Sequence, residues 1–348
     1  MNKSITFISQ FPKPVNGLTK AVNNIYCYMK ENTEYTTKKI EINNNKKFIN
    51  HLINILNDNS KIHYYSPSSS KFGNIRDLIY ISISILKKKR VILHFHNNFY
   101  GQLCRQANFI INKWNLWMLS KCECCIVLGE NHKRMLNNLV DKNKVKIVNN
   151  GIDNNYILNK SEFEKKISNK KKTKILYLSN FLKSKGYLEV VKIAETLLAN
   201  DNFEFIMCGK FYNENDEKSF LKYIEENNLK NIYYKGAVYG KEKENILKEV
   251  DIFILITSYK NEVQPISIIE AMGCGNYIIS TDIGVISEML EPTYGALVEN
   301  NKEAINSILN FTRNKNGIKN SINKVKNNYS LNKYNNSLLE IFESEDKI

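Results

Sequence analysis

The chain has 348 residues, 43% of them hydrophobic and 24% charged, which suits a soluble globular protein with room for two domains. Its seven cysteines, an odd number without metal-type spacing, read as reduced thiols of a cytosolic protein rather than a secreted disulfide framework. The longest apolar run, Leu78 to Leu86, is too short to span a bilayer, and the N-terminus enters a strand with no cleavage pattern.

The net charge of +15 is uneven. Residues 1–155 carry 23 Lys+Arg against 9 Asp+Glu, a net +14, while the remainder carries 27 against 26, a net +1. An anionic partner is therefore expected for the first half, be it a lipid surface, a nucleic acid or a diphosphate-linked acceptor. No RNA or DNA module is visible, so a nucleic-acid partner is not expected.

In chain order, SITFISQF, KIHYYS, RVILHFH, CCIVLG and KVKIVN read as strands separated by helical or polar stretches. KILYLSN, FEFIMCG, IYYKGAV, DIFILIT and NYIIST repeat the arrangement after a polar segment, ILNKSEFEKKISNKKKT, that reads as a linker. Such alternation predicts two parallel sheets with crossover helices, an α/β chain whose ligands bind at the carboxyl ends of its strands, in a cleft between the domains. Gly17 lies between the first strand and a helix, where backbone can approach a ligand. His94 and His96 close the strand RVILHFH on one face, so that one packs while the other reaches the site. Cys122, Cys124 and Cys125 lack the partners of a four-ligand metal set and suit a buried strand. Two stretches of the basic half, LIYISISILKKKR and FIINKWNLWML with Trp114 and Trp117, read either as core helices or as surfaces leaning on an anionic membrane.

The segment NEVQPISIIEAMGCG places Glu262 before a helix and Glu270 one to two turns into it. With Pro265 at the first helical position, the backbone N–H groups of Ile266 and Ser267 and the helix dipole face an anion. Glu270 is placed to accept hydrogen bonds from a vicinal diol such as a ribose, and Glu262 to reach hydroxyls of a transferred sugar. In LYLSNFLKSKGYLEVV, Lys185 brings a cation to a strand–loop–helix junction, where it can neutralise phosphate. These residues suit a nucleoside diphosphate carrying a sugar.

Together with HFHNNFYG, VNNGID, MCGK, KGAV and IGVISEM, these motifs resemble the retaining glycosyltransferases of family 4, of the kind that build bacterial surface polysaccharide, over most of the chain. The resemblance implies the GT-B fold, two Rossmann-like parallel-sheet domains facing across a cleft. It divides the chain into an acceptor-binding domain over 1–155, a linker over 156–172, a nucleotide-sugar domain over 173–328 and a C-terminal helix over 329–348 that packs back towards the first domain. It implies that Glu262 contacts the donor sugar, Glu270 the ribose, Lys185 the phosphate and His96 the reacting centre. Gly17, Val238, Ile266 and Ser267 would then meet the donor through backbone. Asn180 stands where many members have a phosphate-binding arginine, and Pro265 where many have a glycine.

The expected reaction is transfer of a hexosyl or N-acetylhexosaminyl unit from a nucleotide sugar, UDP rather than GDP, with retention. The expected acceptor is a glycan on a polyprenyl diphosphate, in O-antigen or capsule synthesis. The enzyme would work in the cytoplasm, at or near the inner face of the membrane. No cofactor or metal is expected, since no D-x-D pair faces the site. Other sugar-nucleotide chemistry on the same fold, such as epimerisation, and a non-catalytic partner subunit are the alternatives.

Overall fold

The computed structural model describes residues 3–12, 16–168 and 172–344. The chain divides into two compact units. The first runs to Gly151 and also takes in Lys260–Gln264 and the residues from Leu331 onward; the second comprises Ile152–Tyr259 and Pro265–Ser330.

The first unit is built on six parallel strands: β1 (Ser4–Ser9), β2 (Thr36–Glu41), β3 (Ile62–Tyr65), β4 (Arg90–His94), β5 (Cys124–Val127) and β6 (Val145–Ile147), in the order β2-β1-β3-β4-β5-β6. Successive side chains alternate between the two faces of this sheet. Phe7, Tyr64, Ile92 and Ile126 accordingly pack with the helices Gly17–Asn32 and Leu331–Glu343, whose Tyr334, Leu338 and Phe342 are buried there. Ile8, Tyr65, Leu93 and Val127 pack on the other face, against the helices Phe48–Asn57, Lys71–Leu86 and Phe109–Lys121. In the helix carrying LIYISISIL, Leu78, Tyr80 and Ile81 are core residues.

The second unit repeats the plan with β7 (Thr173–Leu178), β8 (Phe203–Cys208), β9 (Ile232–Gly236), β10 (Ile252–Leu255), β11 (Tyr277–Ser280) and β12 (Gly295–Leu297), in the order β12-β11-β10-β7-β8-β9, all parallel. The strand order reverses between β7 and β10, and the carboxyl ends at such a reversal are where open α/β sheets bind ligands.

The segment read as a linker, 156–172, is largely the helix Lys160–Ser168, with 169–171 outside the described residues. Its polar composition conceals an inward face: Phe163 and Ile167 pack on Leu158, Tyr294 and Ile318, and buried Lys166 donates to the carbonyls of Lys248 and Val250 and to Asn276 Oδ1. Among the described residues no helix is long and apolar enough to cross a membrane.

Candidate active site

In the second unit the loop after β7 carries Lys185. The main chain turns from the short 3₁₀ segment Lys183–Lys185 into the helix Tyr187–Thr196 through Gly186, whose φ is +80°. A Cβ there would lie 1.8 Å from the carbonyl oxygen of Ile256, so only glycine lets this loop close onto the loop after β10. The Ser184 carbonyl accepts from the Ser258 N–H at 2.8 Å, joining the two loops beside the strand reversal. Lys185 Nζ rests 4.5 Å from the centre of the Tyr259 ring, a cation–π contact that holds the ammonium at this edge of the sheet.

The helix Ile266–Gly273 begins at the same edge. Pro265 is its N-cap, with φ −63° and ψ 115°, one position earlier than its expected place inside the helix. Its carbonyl receives the N–H groups of Ile268 and Ile269, so those of Ile266 and Ser267 have no acceptor within the helix and both residues are half-buried. A proline suits the cap because a missing N–H costs nothing there. Glu270 is fully buried, and its carboxylate is paired at 2.5 Å with Lys243 of the helix Gly240–Glu249. Lys243 Nζ in turn lies 5.4 Å from the centre of the Tyr156 ring. Gly273 lets the helix Ile266–Gly273 approach the Tyr156 segment closely, since a Cβ would sit 2.4 Å from the Tyr156 carbonyl oxygen.

Asn180 and Val238 follow β7 and β9 at this edge as well. Asn180 Nδ2 donates to Tyr212 Oη at 3.1 Å, and Val238 is buried. The second unit thus collects Lys185, Asn180, Val238, Ile266, Ser267 and Glu270 at the carboxyl ends of its strands.

The first unit holds Gly17, His96 and Glu262. Gly17 is the first residue of the helix Gly17–Asn32, capped by Asn16; Lys13, Pro14 and Val15 of its loop lie outside the described residues. His94 and His96 stack with ring centres 4.0 Å apart. His94 is wholly buried, its Nδ1 2.7 Å from Tyr64 Oη, and burial holds its pKa well below the ordinary value. His96, at the end of the pair, is half-buried, and burial followed by repulsion from nearby His132 lowers it to about 3. His132 accepts the Leu128 N–H at Nδ1, 3.1 Å, and so uses Nε2–H to donate to the Asn97 carbonyl, 2.9 Å; burial lowers it to about 4. All three imidazoles are neutral at neutral pH.

The short segment carrying Glu262 packs beside these histidines. Asn98 N–H donates to Asn261 Oδ1 at 3.2 Å, two residues from His96 on one side and adjacent to Glu262 on the other. Gln264 anchors the segment: its Oε1 accepts the Asn150 N–H at 2.6 Å, while its Nε2 donates to the Leu128 carbonyl at 3.0 Å and to Asn149 Oδ1 at 2.8 Å. His96 and Glu262 are thereby brought into one neighbourhood within the first unit, and Glu262 itself is half-buried.

Sequence reasoning did not single out Lys243, Tyr259, Gln264 or His132. Gln264 lies inside the quoted motif, so its two-ended amide was a legible signal; Lys243 stands 27 residues before Glu270 on another helix, and no spacing rule connects them. The three clustered cysteines behave as buried apolar residues, and burial pushes the Cys124 thiol up to about 12.

Residues 159–328 match the family model described as Glycosyl transferases group 1. The chain is 29% identical over 219 residues, 60% of its length and 55% of the relative's, to the uncharacterized glycosyltransferase MJ1069 of Methanocaldococcus jannaschii. It is 33% identical to the alpha-galactosylglucosyldiacylglycerol synthase of Streptococcus pneumoniae, over 35% of this chain and 33% of that one. It is 30% identical to the N,N'-diacetylbacillosaminyl-diphospho-undecaprenol alpha-1,3-N-acetylgalactosaminyltransferase of Campylobacter jejuni, over 42% and 36%. The matched part thus spans about half the length of the first relative and a third of the others. Among solved structures, a glycosyltransferase from Rickettsia africae ESF-5 aligns over 98% of both chains at 20% identity with a TM-score of 0.74. Anabaena Alr3699/HepE in complex with UDP and glucose aligns over 99% and 100% at 13% identity with a TM-score of 0.73, a level of likeness that establishes the fold. Residues 159–328 therefore resemble the group 1 glycosyl transferases, in a chain with the GT-B fold of two parallel-sheet units.

Proposed function

We propose that the chain is a retaining glycosyltransferase of the family 4 type, moving a hexosyl or N-acetylhexosaminyl unit from a UDP-sugar to a lipid-linked glycan in bacterial surface-polysaccharide synthesis. The observation that carries this reading is the junction in the second unit, where the Lys185 loop and the open amides of Ile266 and Ser267 lie at the carboxyl edge of one sheet. Two fixed dipoles and a held ammonium suit a diphosphate. Glu270, buried and paired with Lys243, suits the ribose diol, with the backbone at Val238 meeting the base. His96 and Glu262 meet the transferred sugar. The UDP named with the Anabaena structure and the lipid acceptors named for the Streptococcus and Campylobacter enzymes support the same donor and acceptor classes.

In the reaction the bond from the anomeric carbon to the β-phosphate oxygen breaks while the acceptor oxygen bonds to that carbon on the same face. The acceptor proton passes to the departing diphosphate. Negative charge grows on the β-phosphate, and Lys185 with the two amides stabilises it. Neutral His96 donates or accepts a hydrogen bond at the sugar without adding charge. Lys185→Ala is expected to lower UDP release in the presence of acceptor by about 100-fold or more, and Lys185→Arg to restore part of it. Turnover by Lys185→Ala within a few-fold of the parent would remove this lysine and the diphosphate site built on it.

A further inference from the structure

The two helices Lys71–Leu86 and Phe109–Lys121 lie side by side in the first unit. The side-chain amides of Asn74 and Asn115 exchange hydrogen bonds at 2.9 and 3.1 Å, and Trp114 Nε1 donates to Ser82 Oγ at 2.8 Å. Each helix returns the chain from the carboxyl end of one parallel strand to the start of the next, so each first turn stands at the carboxyl edge of the sheet, the edge that carries His96. Those first turns expose large apolar side chains: Phe72 is 86% accessible, Phe109 71% and Ile110 73%, with Ile75 beside them.

The charge around them has one sign. Near the first turns in sequence the basic residues are Lys71, Arg76, Arg105 and Lys113 against a single acid, Asp77, whereas Lys87, Lys88, Lys89, Arg90 and Lys121 stand at the opposite ends of the two helices. Asp77 is buried, with its carboxylate held by Arg76 at 2.8 and 2.9 Å and by the Ser68 N–H, so it offers nothing to solvent. Lys71 adjoins Phe72, and Lys113 Nζ sits 4.2 Å from the centre of the Phe109 ring.

We infer that this patch is the seat of an anionic bilayer surface, with the two phenylalanines and two isoleucines entering the headgroup region and Lys71 and Lys113 meeting lipid phosphates. A nucleic acid would use the rings for stacking and leave the isoleucines unused, whereas a bilayer takes up both. Trp114, whose indole is committed to Ser82, and the core positions of LIYISISIL have no part in it. The inference deepens the reading above, in which the acceptor is carried on a lipid, by placing that lipid's membrane at the His96 edge of the first unit.

Flotation of the full chain with vesicles of mixed phosphatidylglycerol and phosphatidylcholine, or of phosphatidylcholine alone, across a salt series tests it. The expected result is binding to the anionic vesicles that weakens with salt and falls at least tenfold in the triple variant Phe72→Ser, Phe109→Ser, Ile110→Ser. Lys71→Glu with Lys113→Glu should lose the salt-sensitive part. The thermal shift given by UDP-sugars should stay unchanged in both variants, showing that they fold. Absence of binding to anionic vesicles at low salt, or equal binding by the triple variant, overturns the inference, as does a dimer in solution that the triple variant breaks without any vesicle binding. Vesicle binding with no sugar transfer would sink the enzymatic reading alone, and transfer to a soluble acceptor without vesicle binding would sink only the docking surface.

Discussion

The two units share a six-stranded parallel sheet, and both pair buried carboxylates with bases, as Asp77 with Arg76 in the first; they differ in where their histidines lie. All five histidines lie in the first unit, at positions 51, 63, 94, 96 and 132, and burial is the leading cause lowering every one of them. The second unit has no histidine and pairs its buried carboxylates with strong bases: Glu270 with Lys243, and Asp251 with Arg313 at 2.8 and 2.9 Å. On the proposed reading the second unit would hold a diphosphate, a task for positive charge that does not titrate near neutrality, which Lys and Arg ordinarily supply. On the same reading the first unit would meet sugar hydroxyls, which neutral imidazoles can hydrogen-bond without a net charge. The difference makes one half of the molecule sensitive to mild acid and the other indifferent to it.

Acidification gives the largest effect. The native pKa values of His94 and His132 lie below the ordinary 6.5, so the unfolded state takes up protons first as pH falls. Their contribution is therefore complete above pH 6.5 and is lost progressively towards about pH 4, where native His132 itself protonates. From pH 6.5 to 5 His132 alone costs about 1.5 kcal/mol, and His94 adds to the loss in the same direction. Hydrogen exchange corrected for intrinsic rates should show that loss at β4 and β5 and almost none at β7 and β10. Equal losses in both units would break the contrast.

The second unit is tested by removing a charge instead. Lys243→Met strips the cation from fully buried Glu270 and should cost about 2 kcal/mol, less than a wholly enclosed pair because Lys243 is partly exposed. Adding Glu270→Gln should return most of that, because the pair's main role is to keep a buried carboxylate tolerable. Urea unfolding of the single and double variants reads this directly, and a neutral Lys243→Met would show that Glu270 does not depend on its partner.

How much of this was legible in sequence follows the same physics. Buried strands such as RVILH and DIFIL are near-continuous apolar runs and announce themselves, while the two strands not anticipated, β2 with TTKKIE and β12 with GAL, are sheet edges. β2 turns all but one side chain at least partly to solvent and so lacks the pattern, and β12 is only three residues long. The helix in the expected linker hid for the opposite reason, since its inward face includes a lysine. Of the candidate site, the local parts were readable, namely the strand-end histidines, the Lys185 loop and the helix start near Pro265. Lys243 opposite Glu270 and His132 beside His96 are tertiary neighbours, and neither could be read from spacing.

Gln264 measures how firmly the Glu262 segment belongs to the first unit. Gln264→Ala leaves the Asn150 N–H and the Leu128 carbonyl without the amide that joins them, which should cost about 1.5 kcal/mol. If Glu262 acts from this position, the variant should also raise the KM for donor more than it alters the exchange of β4 and β5 amides. A change in stability with unaltered kinetics would mean that the anchor is structural and Glu262 is held by other means.

The smallest effect is a control on the whole contrast. Each unit contains a helix with a reciprocal capping arrangement. In the first, Asn16 Oδ1 accepts from the Thr19 N–H at 3.0 Å and the Asn16 N–H donates to Thr19 Oγ1 at 2.9 Å. In the second, Asn300 Oδ1 accepts from the Glu303 N–H at 3.0 Å and the Glu303 carboxylate accepts from Asn300 Nδ2 at 2.9 Å. Asn16→Ala and Asn300→Ala should each cost about 1 kcal/mol at neutral pH. At pH 5 the Asn16 variant should lose the same amount relative to its parent, because neither Asn nor Thr titrates. A capping penalty in the first unit that grew with acid would mean that acid loosens its helices as a whole, and that the buried imidazoles are not what sets the two units apart.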